Sequence, residues 1–251
     1  MAKQSGIIKL EGTIGDIAFY KTQDGMLARA KGGVSADRIK SDASFQRTRE
    51  NMDEFSRAGA AGKLLRVAFR QYLQNGADNR MVSRLTKEMM AVVKADATNT
   101  RGQRNVLDGE LELLEGFEFN IDRALSTLIF FPYSPTINRV TGALQVDIPA
   151  FSIANKVIVP EGATHMKLVS GGASIDFEGG TFEIETIETM DIPIVQDQVA
   201  ASSLVNQLPA NSTHPLFLVF GVTFSQLVNG VNYPLKTGNF NALALVKVLG
   251  L

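Results

Sequence analysis

The spacing of apolar residues changes period near Gly116, and this change constrains the fold more than any motif in the chain. Before it, apolar residues recur every three to four positions: Met81, Leu85, Met89 and Val92 form one stripe, and Leu107, Leu111 and Leu114 form another. After it, short runs alternate or stay apolar between Gly, Pro and Asn, among them ALQVDIPAF (143–151), SIDFEGGTFEIETIETMDIPIV (174–195), LFLVFGVTFSQLV (216–228) and NALALVKVLGL (241–251). Helices followed by a long series of strands read as α+β. Asn229-Gly230 marks a hairpin joining 223–228 to 231–235, and the strand spacing predicts seven to nine strands in an antiparallel sandwich, Ig-like or jelly-roll-like.

Ahead of the helices stands GTIGDIAFYKTQDGMLARAKGG (12–33), which reads as two or three short strands around an Asp24-Gly25 turn. A hairpin is marginal in water by itself, so this one must pack on helices or add to a sheet elsewhere. A polar connector follows, and Asp42 or Ser44 caps a helix expected over 45–73 with Asn75-Gly76 as its stop. Gly59 and Gly62 mark either a break in that helix or a small-residue patch where another backbone comes close, and the helical cost of glycine favours a kink or break. Two further helices are expected, over 79–94 with Asp78 as cap and over 101–115. The organisation is thus an N-terminal β-hairpin arm (1–33), a small three-helix region (34–116) and a β-sandwich (117–251).

Residues suited to chemistry are scarce. The chain has no Cys and only two His, His165 and His214, which excludes disulfides, thiolate nucleophiles and Cys-containing zinc sites. RAGAAGKLL (57–65) misses a phosphate-binding loop at two of its fixed positions, occupied here by Arg57 and Leu64. Glu183, Glu185 and Glu188 form an acidic cluster with Asp191; on a strand Glu183 and Glu185 share one face, with Ile184 turned toward the core. The sequence offers no catalytic set, no metal site and no cofactor motif, and a non-enzymatic protein is expected.

The overall charge of −1 conceals an asymmetry: residues 1–105 hold 19 Lys and Arg against 11 Asp and Glu, and residues 106–251 hold 6 against 15. Lys63, Arg66 and Arg70 fall on one helix stripe of the basic part, which makes nucleic acid an alternative partner. A glycan-binding sandwich is a second alternative, disfavoured by the absence of Trp and the presence of only four Tyr. No stretch has the apolar length of a signal peptide or a membrane helix, so a cytoplasmic protein with no membrane partner is expected. The Asn211-Ser212-Thr213 sequon is accordingly read as a polar loop.

The N-terminal stretch just quoted, followed by SDASFQRTRENMDEF, GKLLR, SRLTKEMM and the tail LVNGVNYPLKTGNFNALALVKV, resembles a family of bacterial proteins of unknown function from Bacteroidota. The resemblance implies a bacterial origin and no activity. Basic and acidic surfaces on one molecule suit head-to-tail association of identical copies. The expected role is a structural protein that self-assembles into an oligomer, filament, tube or virion-like or injection-device-like particle, alone or with other components, with the N-terminal hairpin adding to a neighbour's sheet. Ile8, Leu10, Ile17, Phe19, Tyr20, Lys63, Arg66, Arg70, Glu183, Glu185 and Glu188 are the expected interface residues.

Overall fold

A computed structural model describes residues 2–74, 76–196, 198–235 and 240–251. Asn75, half of the expected helix stop, lies outside them, as does part of the tail quoted above. The chain is α+β and divides into two compact units, 1–49 and 50–251.

In the first unit, β1 (Ala2–Lys3), β2 (Gly12–Ile14), β3 (Ile17–Thr22) and β4 (Gly25–Ala30) form an antiparallel sheet in the order β1-β4-β3-β2. The hairpin therefore does not stand alone: β1 and β2 flank it on either side. Thr22 pairs with Gly25, so the turn centres on Gln23-Asp24, one residue earlier than Asp24-Gly25. A short helix α1 (Ala36–Ser41) follows. Asp42 accepts from Ser44 N at 2.9 Å, and Arg49 closes the segment by donating to Ile39 O and Asp42 O.

The second unit is layered. Helices α2 (Gln46–Ala68), α3 (Arg70–Leu73) and α4 (Met81–Ala95) lead into two short helical turns, α5 (Leu125–Leu128) and α6 (Ile153–Lys156), set among the strands. The strands are β5 (Ser134–Asn138), β6 (Ala143–Ile148), β7 (Phe151–Ser152), β8 (His165–Asp176), β9 (Thr181–Glu188), β10 (Ile192–Pro193), β11 (Gln198–Val199), β12 (Ser202–Gln207), β13 (Leu216–Val228), β14 (Val231–Pro234) and β15 (Ala242–Leu249). The long strands β8 and β13 pair along the middle of a six-stranded antiparallel sheet, flanked by β9 and β15 toward one end and by β10 and β14 toward the other. A smaller sheet of order β12-β6-β5 completes a sandwich with it.

Strand alternation builds two cores. Val169, Ala173, Phe217, Val219, Leu243 and Leu245 face Leu65, Leu85, Met89 and Val92 of the helices. Met166, Leu168, Leu218, Phe220 and Val222 face Leu144, Val146 and Leu204 of the small sheet. Helices and sandwich thus share a core across one face of the large sheet.

Adjacent glycines let both layers press on β8. A Cβ on Gly171 would lie 3.0 Å from Tyr72 Cε2, and one on Gly172 would lie 2.9 Å from Asn206 Cβ and 3.1 Å from Leu144 Cδ2. Filling this space with Gly172→Val is expected to destabilise the protein by about 3 kcal/mol, read as a lower denaturant midpoint at unchanged slope. An unchanged midpoint would contradict the close approach.

Three local expectations are corrected. Helix α2 runs unbroken through Gly59 and Gly62, because Gly62 is the small-residue contact: the space beside it is taken by Met89 and Leu85 of α4 at 3.6–3.7 Å. The helix instead ends at Ala68, and Phe69 (φ −92, ψ 19) separates it from α3. Residues 101–115 form no α-helix; Gly102 takes φ +87, and a hydrogen-bonded loop replaces the turns before a 3-10 helix at Leu111–Leu114. The Asn229-Gly230 hairpin forms as read, with both residues at positive φ (51 and 81), the geometry of a type I′ turn.

Candidate assembly surfaces

The register of the N-terminal sheet sorts its side chains by face. Ile14, Ile17, Phe19, Met26 and Ala28 lie together on one face, interrupted only by Lys21 beside Met26. Tyr20 and Leu27 lie on the other, where the Arg29 guanidinium sits 5.5 Å from the Tyr20 ring centroid. Such a pattern ordinarily belongs to a sheet with one face covered. Yet no described residue of 2–49 is buried, and Ile14 and Ile17 keep 63% and 46% of their surface exposed.

Between β1 and β2, residues 4–11 form an irregular excursion closed by Gln4, whose side chain accepts from Leu10 N at 2.8 Å and donates to Leu10 O and Leu27 O. At its crest Ile7 and Ile8 are 103% and 80% exposed. Leu10 is exposed as well. Of the apolar residues singled out from the sequence, Ile17 and Phe19 thus share the apolar face, Ile8 and Leu10 are exposed in the excursion, and Tyr20 lies on the opposite face of the sheet.

The acidic candidates converge on β9, which has a strand partner, β8, on one side only among the described residues. Glu183 and Glu185 are exposed on one face, while Phe182 and Ile184 turn toward the helix-side core and remain half-buried at the edge. Glu188 is on the opposite face from Glu183, paired with Lys167 at 2.9 Å. Lys167 is held charged by this hydrogen bond, which raises its pKa against the effect of burial. Tyr72 covers the far end of β9, its hydroxyl 2.9 Å from Ser170 O and 3.4 Å from Ile187 O. Burial pushes this phenol up to about 12, so it stays a donor at every physiological pH. Asn206, buried between the sheets, donates to Glu185 O at 3.1 Å once its amide is oriented to accept from Ser170 Oγ.

The basic candidates are less concentrated. Lys63 and Arg70 are exposed and Arg66 is half-buried, with the interruption at Phe69 separating Arg70 from the helix that carries the other two. Lys63 and Arg57 rim an apolar groove of ≈ 530 Å³ lined by Leu64, Val67, Leu107 and Phe177.

Elements of chemistry are present without being assembled. His165 Nδ1 lies 3.0 Å from Thr164 Oγ1 at the start of β8. His214 stands 4.0 Å from Asp176, whose carboxylate is already engaged by the backbone N–H groups of Glu178 and Gly179. Among the described residues, no group of three or more His, Asp or Glu is gathered to hold a metal ion, and no helix is long and apolar enough to cross a membrane.

Two polar clusters invisible in the sequence prove to be structural. Asp96 accepts from Thr98 N, Asn99 N, Asn99 Nδ2 and Asn105 N at 2.8–3.0 Å. Burial would raise its pKa, and these four bonds outweigh that and bring it down to about 2. Arg139 donates to four carbonyls, those of Ser212, His214, Leu249 and Gly250, and so ties the last strand to the 212–214 loop. No protein family, curated protein or solved structure matches the chain.

Proposed function

We propose that this chain is a non-enzymatic structural subunit that self-assembles, and that the apolar face of its N-terminal sheet is buried only in the assembly. The observation that carries this reading is the four-stranded sheet without a single buried described residue. Ordering a residue costs about 1–2 kcal/mol of conformational entropy, and a sheet offsets this mainly by burying its apolar face. Ile14, Ile17 and Phe19 supply such a face, and a second copy of the chain supplies its cover. The opposed charges favour copies meeting head to tail: residues 1–49 carry nine Lys and Arg against five Asp and Glu, and residues 50–251 carry the reverse excess.

Hydrogen exchange tests this directly. In concentrated protein the amides of β3 and β4 are expected to exchange slowly, and on dilution below the assembly threshold at least about a hundredfold faster, while β8 and β13 stay protected in both states. Equal protection of β3 and β4 at all concentrations would show a sheet stable without a partner and contradict the proposal.

A further inference from the structure

The excursion between β1 and β2 and the open edge of β9 are complementary. We propose that residues 6–11 of one copy add to β9 of a second copy as an antiparallel strand, with Lys9 opposite Glu183, Ile8 opposite Ile184 and Leu10 opposite Phe182. This rests on the self-assembly reading and names its acceptor.

Three observations carry it. The first is vacancy on both sides. Residues 4–11 form no regular structure and expose Ile7, Ile8 and Leu10, and joining a strand would require opening the exposed bonds of Gln4 to Leu10 and the bond that Lys9 Nζ donates to Gln4 O. On the acceptor, Tyr72 occupies the end of β9 near Ile187, and the stretch 181–184 has no second strand partner among the described residues, making it an open edge of a large sheet. Such an edge is a template for another strand.

The second is alternation. Along β9, Phe182 and Ile184 point to the helix-side core and are half-buried, whereas Glu183 and Glu185 point away. Along the donor, Ile8 and Leu10 share one face, and Ile7, Lys9 and Glu11 the other. In the stated register Ile8 and Leu10 extend the core past Phe182 and Ile184, and Lys9 meets Glu183, while Ile7 falls opposite Glu185 and Glu11 opposite Thr181. A slip of one residue would set Ile8 and Leu10 on the glutamate face and Lys9 against Ile184, so the pattern specifies the pairing.

The third is charge. Asp176, Glu178, Glu183 and Glu185 make the start of β9 and the turn before it predominantly acidic, with His214 beside Asp176 and with Arg57 and Lys63 lining the same groove as Glu178. The donor unit is basic and contributes Lys3 as well as Lys9 close to the strand. Glutamates along an open edge deter pairing between like edges, whereas Lys9 meets Glu183 as an opposite charge and Glu11 falls opposite the uncharged Thr181.

The absence of native cysteine makes the test direct. Chains carrying Lys9→Cys and chains carrying Glu183→Cys are prepared separately, mixed above the assembly threshold and treated with a short bis-maleimide. A covalent dimer of twice 27.2 kDa is expected, with little from Lys9→Cys mixed with Asp147→Cys on β6. Independently, Glu183→Lys is expected to raise the critical concentration about fivefold, and Lys9→Glu added to it is expected to restore the original value. If the chains assemble but Lys9→Cys links no better to Glu183→Cys than to Asp147→Cys, this acceptor edge is wrong while self-assembly stands. Linkage confined to a single chain carrying both cysteines would likewise overturn strand exchange between copies. Failure to assemble at any concentration would remove the underlying reading along with this one.

Discussion

Replacing both Ile14 and Ile17 by Asp is expected to reduce the assembled protein to a 27.2 kDa monomer while leaving the thermal unfolding of the second unit unchanged. The two isoleucines pair across β2 and β3 on the apolar face, so the substitutions set two carboxylates side by side on the face proposed to dock a neighbour. Losing two buried aliphatic side chains costs about 3–6 kcal/mol per contact, or two to four decades in the association constant, before any penalty for covering the charges. Both positions are exposed within a single copy, so the monomer has little to lose. Sedimentation velocity reads the result. Val140→Asp, at an equally exposed site in the turn between β5 and β6, should leave the particles intact. Undiminished particles from the Ile14→Asp, Ile17→Asp chain would show that the sheet face takes no part.

A large effect on folding is expected from Asp96→Ala. It would leave three backbone N–H groups and the Asn99 amide without their acceptor in a loop where the remaining polar groups already serve one another: Asp108 accepts from Asn99 Nδ2 and Asn105 Nδ2, and Asn105 Oδ1 accepts from Leu107 N and Asp108 N. Glu54 anchors the same loop to α2, accepting from Gly102 N at 2.8 Å beside Arg104. Several hydrogen bonds to a charged acceptor suggest a loss of about 3 kcal/mol. The wild-type pH profile carries the same signature. Because the folded carboxyl lies near 2, below the usual 3.8, its stabilisation is complete above the higher value and disappears as pH falls through the lower. The Ala variant should lack that part of the acid dependence. An identical acid profile in the two proteins would mean the network contributes nothing.

The features visible in the sequence were those written in local spacing. The stripe Met81, Leu85, Met89 and Val92 became the buried face of α4, Asn229-Gly230 became a hairpin, and Ile184 turned inward between exposed Glu183 and Glu185 because a strand alternates its faces. The features missed depend on contacts distant in sequence. Leu107, Leu111 and Leu114 have helical spacing, yet the Asp96 network commits residues 98–108 to a loop that no periodicity encodes. Gly62 looked like a helix breaker because its partner, α4, lies elsewhere in the chain. Arg139 gave no signal, since its acceptors are all backbone carbonyls. The two or three strands expected over 12–33 are β2, β3 and β4, and only β1 was overlooked, because a two-residue strand carries too little alternation to register.

Self-assembly is tested most directly by light scattering of the purified, untagged protein from 20 mM to 1 M salt, with negative-stain images of the same samples. Large regular particles at low salt that shrink as salt rises are expected, since screening weakens the basic-to-acidic attraction while apolar burial persists. A monomer of 27.2 kDa at every salt concentration would contradict the proposal and direct attention to nucleic acid at Lys63, Arg66 and Arg70.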